Sequence, residues 1–102
     1  MRYLLTGDTF DAEEALRIGI VQEVVEPGRQ LDRAIEIAEV IAAQAPLGVR
    51  ATIESSRTAM SAGPDEAIKG LLPKIMELIK TGDAQEGIQS FIERRTAKFK
   101  GK

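Results

Sequence analysis

Apolar side chains separated by three and four residues, in segments bounded by proline and glycine, most constrain what this chain can become. Leu31, Ala34, Ile35, Ala38, Ile41, Ala42 and Ala45 form one such stripe, the pattern of an amphipathic helix over roughly residues 30 to 45. Asp32, Arg33, Glu36 and Glu39 lie off the stripe, where water would meet them. Pro46 suits the first turn of a following helix. Val49, Ile53, Ser56 and Met60 mark the apolar side of that helix, and Ala62-Gly63-Pro64 closes it.

The same reasoning gives three more helices. Asp11 and Glu14 have capping-box spacing at the start of a short one that Gly19 stops. A broad apolar face of Ile68, Leu71, Leu72, Ile75, Leu78 and Ile79 follows Asp65, with Pro73 placed to kink or split that helix. Asp83 and Glu86 repeat the capping-box spacing before a last helix whose predicted inner face is Ala84, Gly87, Ile88 and Phe91. Between the first two helices, Ile20–Val25 is β-branched and apolar, a short strand or extended segment, closed by Pro27-Gly28. The expectation is a mainly α chain of about five helices and one short extended segment, forming a single domain over residues 1–102. Tyr3, Leu4 and Leu5 before Gly7 read as the last turn of a helix whose beginning is missing. That suggests truncation, with a frayed arm as the alternative. Several apolar faces are wider than a chain this size can bury, so they call for partners.

Charge and composition narrow the chemistry. The 102 residues hold no cysteine and no histidine, which removes thiolate chemistry, the commonest general base and the commonest metal ligand. Residues 1–93 carry nine basic and sixteen acidic side chains; Arg94, Arg95, Lys98, Lys100 and Lys102 follow with no acid among them. An acidic body with a short basic end argues against a nucleic-acid binder and fits an anionic small ligand, or simply a solvated end. No apolar run is long enough to span a membrane and no signal-peptide pattern opens the chain. With no cysteine, a cytoplasmic setting is expected.

No phosphate loop, nucleophile elbow or zinc-binding helix motif is present. The pairs Glu13/Glu14 and Asp65/Glu66 fall in first turns of helices, where the dipole favours negative charge. Ser55 and Ser56 lack a base, so neither is a nucleophile. No catalytic residue and no metal site can be assigned. Phe91 and Arg94, three apart at a helix end, are the best candidates for ligand contact, an aromatic beside a guanidinium suiting an apolar chain that carries a phosphate. Ordinary core is the competing reading for Phe91.

Three stretches resemble the enoyl-CoA hydratase/isomerase (crotonase) family: Leu5 to Val21, continuing into Val24-Val25; Ala42 to Leu47; and Asp83 to Arg95 followed by Phe99-Lys100-Gly101. In order, they span nearly the whole chain. The resemblance implies the C-terminal helical segment of such a protein, with its catalytic core upstream, where backbone N–H groups stabilise a thioester enolate and carboxylates move protons. It implies self-association, as a trimer or hexamer in the full protein; in a fragment without the core, the exposed faces could pair otherwise, including as a swapped dimer. It also implies partial enclosure of acyl-CoA, which is substrate and not cofactor. Phe91 would line or lid the acyl pocket and Arg94 would stand near the CoA phosphates. The parent reaction would be hydration of a 2-enoyl-CoA in fatty acid metabolism, with the isolated chain inactive. A free-standing helical protein-interaction module is the alternative.

Overall fold

The structure, a computed structural model, describes all residues from Met1 to Lys102. Six helices follow in order: α1 (Arg2–Thr6), α2 (Ala12–Arg17), α3 (Gln30–Ala42), α4 (Pro46–Ala62), α5 (Pro64–Leu78) and α6 (Gly82–Glu93). The chain divides into two compact units, Met1–Glu36 and Ile37–Lys102.

The first unit begins with one helix more than the sequence pattern counted. Arg2–Thr6 forms its own short helix, and Gly7 ends it at φ 73°, its N–H donating to the Tyr3 carbonyl. This left-handed stop is a position where an L side chain would be strained. Asp11 then caps α2, its carboxylate accepting the Glu14 N–H at 2.8 Å. The Glu14 side chain does not complete the reciprocal half of the box; Tyr3 and Arg17 hold it instead. After α2, the Ile20 and Val21 amides both donate to the Ala15 carbonyl, and Ala15 is buried.

Ile20–Val25 is therefore no strand. A strand needs a neighbour for its N–H and C=O groups, and this chain forms no β-ladder. Glu23 ties the segment down by another route, accepting from Arg33 Nε at 2.9 Å while Arg33 Nη1 reaches Glu36.

In the second unit α4 and α5 form an αα-hairpin turned at Gly63, whose φ of 93° excludes most side chains, with Pro64 opening α5. Half-buried residues show how the pair meets: Leu47, Ala51, Ser55, Thr58 and Ala59 on α4, and Ala67, Gly70, Lys74 and Leu78 on α5. Lys74 bridges across to Glu54 at 3.1 Å. Small residues make most of the contact, with Leu47 and Leu78 at the end away from Gly63, and most of the large apolar side chains point elsewhere. Ile53 and Met60 on α4, and Ile68, Leu71, Leu72 and Ile75 on α5, are all exposed. The apolar stripes are present at helical spacing, but they are not the surfaces on which these two helices pack.

Pro73 does not split α5, which runs unbroken from Pro64 to Leu78. Proline lacks the N–H that would reach the Lys69 carbonyl, but it lies on an exposed side of the helix. Thr81 joins α5 to α6: its hydroxyl donates to the Leu78 carbonyl at 2.7 Å and accepts the Ala84 N–H at 3.1 Å. Thr81, and not Asp83, is thus the N-cap of α6.

Candidate functional site

α6 shows opposite characters on its two sides. The side carrying Asp83, Glu86, Gly87 and Ser90 is covered, with Asp83 4% and Ser90 5% exposed. Ile88, Phe91 and Ile92 are open, Phe91 at 85%. The predicted inner face needs correcting accordingly: Ala84 and Gly87 lie on it, whereas Ile88 and Phe91 do not. Phe91 is not core within this chain.

The cover is the segment Arg95–Lys102, which doubles back along α6 as a strap. Asp83 accepts the Lys100 and Gly101 amides at 2.6 and 2.8 Å, and its own N–H donates to the Lys102 carbonyl at 3.0 Å. One turn further on, Glu86 accepts the Lys98 amide at 2.7 Å and the Arg95 guanidinium. Phe99 lies over Gly87, where a Cβ would come 3.7 Å from the ring. Asp83 and Glu86, three apart, thus share one face and gather backbone N–H groups, which is what their spacing achieves in place of a capping box.

Arg94 stands where the helix ends. It adopts the left-handed conformation (φ 52°, ψ 42°), and its N–H donates to the Phe91 and Ser90 carbonyls. Because Arg94 is outside the helix, the three-residue helical relation to Phe91 does not govern its side chain, and the guanidinium is not stacked on the Phe91 ring. The two adjacent arginines differ. Arg95 is pinned by Glu86 and Glu93, while Arg94 makes no ion pair and is exposed.

Electrostatics follow these contacts. The Arg95 guanidinium, with the Lys98 amide, holds the Glu86 carboxyl down at about 2. The Gln89 amide, then Arg95, lowers Glu93. Those carboxylates push Arg95 upward, so its charge is permanent.

The first unit holds a cluster that sequence spacing does not reveal. Tyr3 Oη donates to Glu14 Oε1 at 2.5 Å and Arg17 Nη2 to the same oxygen. Arg17 first, then Tyr3, brings Glu14 to about 2, while Glu14 raises the Tyr3 hydroxyl. Tyr3 also packs on Phe10, with ring centroids 4.6 Å apart. Eleven positions separate Tyr3 from Glu14, so no local pattern pairs them. Ser55 is half-buried and Ser56 exposed, and neither meets a base.

Residues 1–102 match the family model for enoyl-CoA hydratase/isomerase. The chain belongs to that family. Among relatives, the chain is 43% identical to the (E)-benzylidenesuccinyl-CoA hydratase of Thauera aromatica, over 99% of this chain and 40% of that protein. It is 37% identical to the carnitinyl-CoA dehydratase of Salmonella arizonae, over 96% of this chain and 39% of the relative. Among solved structures, a probable enoyl-CoA hydratase/isomerase from Mycobacterium abscessus superimposes with a TM-score of 0.93 at 52% identity, covering 100% of this chain and 40% of that one. An enoyl-CoA hydratase from Mycobacterium tuberculosis gives 0.84 at 37% identity, over 96% and 39%. The chain therefore spans about 40% of the length of these family members. No helix is long and apolar enough to cross a membrane.

Proposed function

We propose that this chain is the C-terminal helical domain of an enoyl-CoA hydratase/isomerase protein, serving self-association and partial enclosure of acyl-CoA. The observation that carries the reading is the open face of α6, where the exposed Phe91 is followed by an unpaired Arg94 at the helix end. In this reading Phe91 covers the acyl chain, and Arg94 meets the CoA phosphates through charge-assisted hydrogen bonds. The exposed apolar side chains of α4 and α5 are the surfaces that a catalytic core and neighbouring subunits would cover, in a trimer or hexamer of the whole protein.

The parent reaction is hydration of a 2-enoyl-CoA in fatty acid metabolism, in the cytoplasm. Relatives named as hydratases and a dehydratase support that choice. Catalytic groups belong to the core, no resident cofactor is needed, and the 102 residues alone are inactive. The test is hydration of crotonyl-CoA by the purified chain, followed as loss of the conjugated thioester absorbance. Turnover would place a catalytic carboxylate within these residues and overturn the reading. Binding is tested separately: Arg94→Gln should weaken CoA affinity about tenfold, the scale of one lost charge-assisted contact.

The exposed faces of α4 and α5 also favour a second reading, a free-standing helical interaction module. A coding sequence upstream of Met1 with no in-frame hydratase core would select it.

A further inference from the structure

One ridge of α5 reads the same in both directions. Ile68, Leu72, Ile75 and Ile79 are all exposed and follow at steps of four, three and four residues. That is the spacing of a coiled-coil seam, which keeps one narrow line of side chains facing a neighbouring helix. The ridge stays in register through Ile79, whose backbone is still helical at φ −58° and ψ −26°. Contact with α4 uses other positions of α5, namely Ala67, Gly70, Lys74 and Leu78, so the hairpin leaves the ridge open.

The order of the steps selects the partner. Because four, three, four is unchanged when reversed, an antiparallel copy sets Ile68 against the partner's Ile79 and Leu72 against the partner's Ile75. Each contact then recurs across a two-fold axis, which is what an isologous interface requires. Charge agrees with this direction. Asp65 lies before the ridge and Lys80 after it, both exposed and neither in an ion pair. Lys69, on the same flank, is already held by Glu66 at 2.9 Å. An antiparallel copy brings Asp65 within reach of the partner's Lys80 at both ends of the ridge. A parallel copy would set aspartate beside aspartate and lysine beside lysine, and would align the two helix dipoles unfavourably.

We propose that the α5 ridge is an interface for a second copy of this chain, paired antiparallel about a two-fold axis level with Pro73 and Lys74. The proposal rests on the self-association reading above and deepens it, by naming the helix, its direction and its register. The long aliphatic side chains supply the apolar contact, and the Asp65–Lys80 pairs at the two ends fix the orientation.

The test is sedimentation velocity of the full chain over a range of concentrations. The chain should form a dimer. Asp65→Lys and Lys80→Asp should each weaken it about tenfold, because each loses two exposed ion pairs and gains two like-charge contacts. The two changes combined in one chain should restore the dimer, and an equal mixture of the two single variants should pair with each other. Each change also opposes the α5 dipole. Recovery by the combined variant, which opposes the dipole at both ends, therefore cannot come from a more stable helix. Ile75→Glu should abolish the dimer. An isolated chain that forms trimers, or a dimer indifferent to single charge reversals, would overturn the α5 pairing while leaving self-association standing. No recovery in the combined variant would also overturn it. A chain monomeric at every concentration would overturn both the pairing and the self-association on which it rests.

Discussion

The Asp83 carboxylate accepts the Gly101 amide at 2.8 Å although 18 positions separate the two residues. That contact closes the strap, and Asp83 also takes the Lys100 amide while its own N–H reaches the Lys102 carbonyl. Asp83→Ala would leave two amides without an acceptor beside a residue only 4% exposed. A loss of roughly 2–3 kcal/mol is expected, measured by urea unfolding. Faster amide exchange at Lys100 and Gly101 should accompany it. A loss below about 0.5 kcal/mol, the scale of a plain surface change, would mean that the strap is not fixed in solution.

Gly101 tests the same closure through the backbone. Its φ is 73°, and a Cβ there would meet Pro46 at an ordinary 3.7 Å. The cost of Gly101→Ala should thus come from the left-handed conformation and not from collision, at about 1 kcal/mol. Thermal unfolding would show it. An unchanged midpoint would contradict the assigned conformation.

Acid should weaken both units through Glu14 and Glu86, each lowered from 4.5 to about 2. The sign follows from which state holds the proton more weakly. Both carboxyls ionise more readily when folded, so their stabilisation is fully present above pH 4.5 and is lost as pH falls toward 2. Glu86→Gln should flatten part of that dependence in unfolding curves recorded between pH 5 and pH 2. A Glu86→Gln profile parallel to the parent would remove the Arg95 pairing from the account.

The exposed apolar face of α5 separates folding from association. Ile68 is 62% exposed and Leu72 64%, so Ile68→Glu with Leu72→Glu should change unfolding by no more than about 0.5 kcal/mol per site. Self-association, read by sedimentation velocity, should fall. If stability collapses and association persists, these residues pack within the chain after all.

Thr81 gives the smallest and most local test. Its hydroxyl caps α6 and also bonds the end of α5. Thr81→Ala should cost about 1 kcal/mol, the usual worth of such a cap, and Thr81→Ser should recover most of it. No recovery by serine would point to the methyl group instead.

Much of the helical plan is legible along the chain because its signals are local. Pro46 opens α4, Gly7 and Gly63 stop their helices, and Asp11 caps α2; each works through backbone groups within a few residues. Apolar spacing likewise foretold stripes on α3, α4 and α5. Where the local rule had two outcomes, it could mislead. The Asp83–Glu86 spacing suits a capping box equally well as a pair of anchors for a distant strap, and only the strap's position decides between them. Ile20–Val25 has strand-forming residues, but a strand also needs a partner that this chain does not supply.

The sequence by itself determined most helix boundaries, through Gly7, Asp11, Pro46 and Gly63, and the apolar stripes of α3, α4 and α5, though not the start of α6 at Thr81 or α1 as a helix of its own. It also carried the resemblance to the enoyl-CoA hydratase/isomerase family, because those motifs are contiguous. Tertiary structure decided which faces meet. It packed α4 on α5 through small residues, laid the strap on the polar side of α6, left Phe91 open, and set Glu14 between Tyr3 and Arg17. Periodicity states that a face is apolar, but not what will cover it. That choice depends on contacts between residues far apart in sequence, whose closeness the fold alone creates.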